Sequence, residues 1–169
     1  LRAWKGSFLR GFAAEHALRR GKVSLHPYVI YAVISLAALF TGWLFAGWPG
    51  VVVWVLLSAH AQSQLLLSDY VQHYGLTRRV RPDGKLEPVA ARHSWNAPHW
   101  FSSGLMLNAP RHSDHHAHPA RPYPALRLPG PEEAPHLPWP LPIACMIALS
   151  PDRWRRLMRP HVERWREMP

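Results

Sequence analysis

Between Val23 and Ser68 the chain carries no Asp, Glu, Lys or Arg. No other feature constrains the fold so tightly. The first part of this stretch, YVIYAVISLAALFTGWLFAGW from Tyr28 to Trp48, is almost wholly apolar. As a helix it would extend about 31 Å, the thickness of a bilayer core. GWPG then interrupts it, because glycine and proline together break helices. A second run, VVVWVLLSAHAQSQLLLSDYV, follows at once and turns more polar in its second half. The pattern predicts a helical hairpin in a membrane, with spans over 28–48 and 50–70. A buried hairpin in a soluble protein is the competing reading. A signal peptide fits poorly, since the first segment is too long and a second follows it.

Charge lies outside this stretch. Lys and Arg number 20 against 10 acidic residues, a formal charge of +10. Arg2, Lys5, Arg10, Arg19, Arg20 and Lys22 precede the apolar runs; Arg78, Arg79 and Arg81 follow them. By the positive-inside rule both flanks, and so both termini, are expected in the cytoplasm. Trp43, Trp48 and Trp54 suit an interfacial belt near the turn. The first 22 residues, with Trp4, Phe8, Phe12 and Leu18 among basic residues, read as an amphipathic helix at the membrane interface. A basic chain can bind nucleic acid, anionic lipid or an acidic protein. The long uncharged stretch argues against nucleic acid. The single cysteine, Cys145 in LPIACMIALS, reads as a small buried hydrophobe and excludes an intrachain disulfide.

After Tyr70 the composition shifts to His, Arg and Pro, and 71–169 reads as a cytoplasmic cap and tail. RVRPDGKLEP is a turn, WFSSGLMLN a short apolar patch, and PALRLPGPEEAPHLPWPLP a Pro-rich segment extended along a surface. PDRWRRLMRPHVERWREM reads as a basic C-terminal helix. The expected fold class is all-α: part of an integral-membrane helical bundle with a His-rich cytoplasmic cap.

The cap's chemistry centres on RHSDHH, Arg111 to His116. On a helix His112, His115 and His116 share one face. Neutral imidazoles gathered this way are ready metal ligands, and a surface cluster without metal is the bland alternative. Asp114 points elsewhere on such a helix and can orient a ring. His73, in DYVQHYG, stands at the end of the second apolar run, with Asp69 and Gln72 beside it. RHSWNAPHW adds His93, Asn96 and His99. Imidazoles alone suit zinc, copper, iron and nickel, so they leave the metal open. The lack of HExxH and of paired cysteines speaks against a zinc protease and a zinc finger.

DYVQHYGL, HSWNAPHW and RHSDHHAHPARPYPALR, in this order, resemble three successive elements of the integral-membrane alkane monooxygenases, relatives of the membrane fatty acid desaturases and xylene monooxygenase. The similarity covers roughly Trp4 to Pro160. It implies a non-haem centre of two iron ions on the cytoplasmic side of a helical bundle. His73, His112, His115 and His116 would be ligands, with Asp69, Gln72, His93, Asn96, His99 and Asp114 nearby. It further implies dioxygen as co-substrate, a rubredoxin-type electron donor, and a hydrophobic small-molecule substrate hydroxylated at its terminal carbon. Desaturation or aromatic-methyl hydroxylation is the alternative within the same group, and an inactive truncated product the alternative outside it. Three positions depart from the family pattern. Asp69 replaces its Asn, Gln72 its Glu, and Pro110 its usual Gln. The family's first two histidine boxes have no counterpart, which predicts that the chain is the C-terminal part of a longer enzyme.

Overall fold

The computed structural model describes residues 2–20 and 25–168, with side chains from Lys5 onward. Lys22 therefore lies outside the described residues, as do the side chains of Arg2 and Trp4. Among the described residues the protein is all-α. Six helices and two short 3-10 turns occur, with no strand and only two isolated bridges. The chain divides into two compact units, residues 1–66 and 67–169.

The first unit holds α1 (Arg2–Leu18) and most of α2 (Pro27–His73). Phe8 and Phe12 of α1 meet Tyr28 edge to face, at ring separations of 5.2 and 5.3 Å. Helix α2 is two arms joined by a break at Ala46 and Gly47, where φ reaches −144° and +60°. Gly47 suits the positive φ because it has no Cβ. Pro49 then opens the second arm, where its missing N–H costs nothing. The arms double back closely. A Cβ on Gly50 would fall on the Gly42 carbonyl, and one on Gly42 would strike Trp54. Ile34, Ala38 and Leu39 face Trp54, Val55 and Ser58 across the hairpin. Thr41 and Ser63 return their hydroxyls to carbonyls four residues back, which satisfies them without water. The hairpin's outward side chains are large and apolar, Phe45 being 87 % exposed.

The second unit has a conventional core. Val71 at the end of α2 packs with Trp95, Leu137, Leu141 of α5 (Leu141–Ala148) and Trp154, Met158 and Val162 of α6 (Pro151–Glu167). The α6 positions recur at helical spacing, so one stripe of this basic helix is buried while its arginines face outward. Gly75 ends α2 with φ +72°, and a Cβ there would meet Val162 at 2.8 Å. Both the backbone turn and the close approach require glycine. Residues 78–87 fold back on themselves through Gly84 (φ +74°), as the turn chemistry of PDG predicts.

The Pro-rich segment differs from expectation. Leu126, Ala134, Pro135 and Leu137 are buried. Prolines bring no N–H into the interior, so such a segment can be buried with few hydrogen bonds to satisfy. Leu126 and Ala134 N–H turn back to the Tyr123 and Gly130 carbonyls, and a strap over 95–97 meets two more groups: Asn96 N–H donates to the Pro135 carbonyl at 2.9 Å, and Leu137 N–H donates to the Asn96 carbonyl at 2.7 Å.

Candidate metal centre

Three imidazoles converge in the second unit. His73 comes from the last residue of α2, and His112 and His116 from α4 (His112–Ala117). His112 Nε2 lies 3.1 Å from His73 Nε2 and 2.9 Å from His116 Nε2. One ligand atom from each residue lies within 4.8 Å of the other two. His73 Nδ1 faces the His93 carbonyl at 3.1 Å and must carry the proton. Its Nε2 is then a bare lone pair aimed at the other two rings. At most one proton can sit between His112 and each neighbour, so a protonated cluster would repel itself. Burial first, then the neighbouring His116, His73 and His115, push His112 down to about 3. Burial and the same kind of crowding lower His116, against a weaker pull from Asp69. The His112 and His116 rings are thus held toward the neutral form, as metal ligands must be.

His115 stands beside this trio. Its ring is 6.3 Å from that of His112 and stacks on Tyr123 at 5.2 Å. Its Nδ1 is buried with no hydrogen-bond partner among the described residues. A desolvated, unpaired ring nitrogen next to three converging ones is the state in which a metal ligand would be left. Asp69 sits at the rim, exposed, 3.7 Å from His73 Nε2. His73 and His116 open on a small cavity shared with Leu76, Arg78, Val89 and His93.

Of the remaining predicted residues, Gln72, His93 and Asn96 support the cluster from behind, whereas Asp114 and His99 lie apart from it. Gln72 is buried, accepts from the Ser68 hydroxyl at 3.0 Å and donates to the Ala109 carbonyl. His93 has both nitrogens engaged: Nδ1 accepts the Ala90 N–H at 3.0 Å and Nε2 donates to Glu87 at 2.8 Å. Asn96 is fully buried, and its Oδ1 accepts both the Ser113 N–H at 3.1 Å and the Ser113 hydroxyl at 2.9 Å. It pins the start of α4 and therefore His112. Asp114 is buried and lies away from the trio. It accepts from His118, from the Arg121 guanidinium and from the Arg127 N–H, so it ties the helix to the following loop. Those donors outweigh burial and hold its carboxyl below the usual range. His99 begins α3 (Trp100–Leu105) and lines an apolar groove with Trp100, Phe101, Leu105 and Ile143.

The sequence pattern alone missed Glu87, Ser113 and Trp95. Trp95 donates its backbone N–H to the Gln72 carbonyl at 2.7 Å and its indole N–H to Tyr74 at 2.8 Å, which clamps the end of α2 that bears His73. The only available signal was position: each lies within a few residues of a histidine element.

A family model described as fatty acid desaturase matches residues 1–145. Alkane 1-monooxygenase 2 of Alcanivorax borkumensis is 37 % identical over 172 aligned positions, covering 98 % of this chain and 44 % of that protein. Alkane 1-monooxygenase of Ectopseudomonas oleovorans is 34 % identical, covering 98 % of this chain and 42 % of its own length. Alkane 1-monooxygenase of Pseudomonas putida is 35 % identical, with 95 % and 40 % covered. The chain spans less than half the length of these relatives. With a match over most of its length and a histidine cluster at its centre, the chain belongs to the fatty acid desaturase family.

Proposed function

We propose that this chain supplies one wall of a non-haem diiron centre in a membrane monooxygenase that hydroxylates the terminal carbon of an alkane or similar hydrocarbon chain. The observation that carries this reading is the convergence of His73, His112 and His116 Nε2 atoms within 4.8 Å, with no proton available for every contact. The donor set fits iron: neutral imidazole nitrogens with a carboxylate, Asp69, at the rim. His115, with its buried unpaired Nδ1, is the fourth ligand in this reading. Three or four nitrogens do not fill two iron coordination shells, so the remaining ligands would come from other parts of the full-length protein.

Hydroxylation consumes one dioxygen, two electrons and two protons, and yields an alcohol and water. Bound iron would supply the reduction of dioxygen. This chain's own residues hold the ligands. Asn96 fixes the start of α4 through Ser113, Trp95 clamps the end of α2, and the His93 carbonyl sets the tautomer of His73. The uncharged hairpin, with apolar side chains outward, would lie in the bilayer, where a hydrocarbon substrate already dissolves. Its basic flanks would then put the cap in the cytoplasm. Arg153, Arg155 and Arg156 on α6 would offer a docking face to an acidic rubredoxin-type electron donor.

The test is product analysis of the full-length protein with an alkane, a xylene and an acyl substrate. A primary alcohol from the alkane is expected. Only a dehydrogenated acyl chain, or only an oxidised aromatic methyl group, would overturn the assignment.

A further inference from the structure

His73 is the one member of the trio whose tautomer a backbone carbonyl sets, that of His93 at 3.1 Å. A carbonyl can do this only if its own peptide is fixed. His93 ends a 3-10 turn over Ala91–His93, a single turn of weak intrinsic stability. Its imidazole locks the turn at two points. Nδ1 accepts the Ala90 N–H at 3.0 Å, so the proton lies on Nε2, which donates to Glu87 Oε1 at 2.8 Å. The same Glu87 oxygen accepts the Arg79 N–H at 2.8 Å, while Glu87 N–H donates to the Arg79 carbonyl at 2.9 Å. The carboxylate thus joins the surface turn of residues 78–87 to the His93 turn. The His93 ring is buried although it is a polar group, which is sustained only because both nitrogens are satisfied. The Ser94 hydroxyl stands 3.4 Å from the same His73 nitrogen and is the weaker acceptor by distance.

We infer that Glu87 and His93 act together as positioning residues for the metal centre, fixing the main-chain carbonyl that orients His73 and keeps its Nε2 free for the metal. Neither side chain is proposed as a ligand, since the His93 nitrogens and Glu87 Oε1 are engaged with each other, Ala90 and Arg79. The inference rests on the proposed function, in which His73 is a ligand. Without the Glu87 carboxylate the His93 ring loses its anchor, and the turn is free to rotate its carbonyl away. His73 can then shift its proton to Nε2 or swing its ring, and either change removes a ligand.

The full-length protein as wild type, Glu87→Ala, His93→Ala and Glu87→Gln separates this from a general structural role. Metal affinity would be measured by competition with a chelator, using iron(II) alone. The ligand-field spectrum of the cobalt(II)-loaded protein and the melting temperature would be recorded alongside. Glu87→Ala and His93→Ala are expected to weaken metal binding about 10- to 100-fold, the usual cost of losing an orienting partner, and to shift the cobalt spectrum. Glu87→Gln keeps an oxygen acceptor for the His93 ring and is expected to restore most of the affinity and the wild-type spectrum. Glu87 is on a surface turn, so its alanine variant is expected to fold even if His93→Ala does not. Wild-type affinity and spectrum in Glu87→Ala would overturn the inference, as would a loss of metal that tracks the melting temperature with an unchanged spectrum. Failure of the wild-type protein itself to bind either metal would overturn the proposed function instead.

Discussion

The two units of this chain solve opposite problems. Among the described residues of 1–66 the large apolar side chains are mostly exposed, and the buried position is a glycine, Gly42, pressed between Gly50 and Trp54. In residues 67–169 a set of apolar side chains forms a buried core, although Trp100, Phe101, Leu105 and Met146 stay exposed, and Asn96, Ser94, Ser113, Gln72 and Asp114 are buried as well. An outward apolar face is tolerable only where the surroundings are also apolar, and close backbone approach through small residues is how helices pair there. A buried polar set is tolerable only where each member has a partner, and here the partners are the supports of the histidine cluster. The contrast teaches that polar atoms in this chain are buried where a site has to be held still.

The largest effect that would break this contrast is on the site itself. His112→Ala or His73→Ala in the full-length protein is expected to abolish iron loading and hydroxylation, read by elemental analysis and product formation. Acidification is expected to act next. In the metal-free cap His112 titrates at about 3 when folded and near its ordinary 6.5 when unfolded. The unfolded state therefore binds the proton first. Stability is complete above 6.5 and is lost as the pH falls through the window from 6.5 to about 3. The lowered Asp114 carboxyl adds a loss of the same sign at the acid end of that window. Circular dichroism of the metal-free protein against pH checks the direction, and metal release on acidification should precede the loss of structure.

Matched truncations sharpen the comparison. Leu141 is 1 % exposed and Leu36 is 65 % exposed. Leu141→Ala should cost about 2–5 kcal/mol in cap stability. Asn96→Ala leaves the Ser113 N–H and hydroxyl unpaired in the interior and should cost about 1–3 kcal/mol. It should also weaken metal binding, since Ser113 adjoins His112. Leu36→Ala in detergent or lipid should change stability by about 0.5 kcal/mol or less. Thermal melts of the three variants, read on the same protein, give the ranking. A Leu36→Ala cost equal to that of Leu141→Ala would erase the distinction between the units.

The hairpin was legible because its signals are local. GWPG marks the break, which falls at Ala46 and Gly47, and the uncharged run marks the arms. The C-terminal helix was legible as a basic, Trp-containing segment, while its buried stripe of Trp154, Met158, Val162 and Trp165 is seen in the fold. The site was legible in part. Histidines at i, i+3 and i+4 share a helix face, but α4 has only six residues, and tertiary contacts decide which rings converge. The stack on Tyr123 draws His115 aside from the trio, and no spacing rule foretells it. The burial of Leu126 and Leu137 was hidden for a related reason. Proline-rich composition predicts an extended chain, not the strap of residues 95–97 that receives it. Glu87 was missed because its role reaches the site through the ring and then the carbonyl of His93, six residues on.

The most direct test of the central claim is iron per polypeptide in the purified full-length protein, wild type beside His112→Ala. Two irons are expected in the wild type and none in the variant, with the cap still folded by circular dichroism. Equal iron in both proteins, or zinc in place of iron in the wild type, would contradict it.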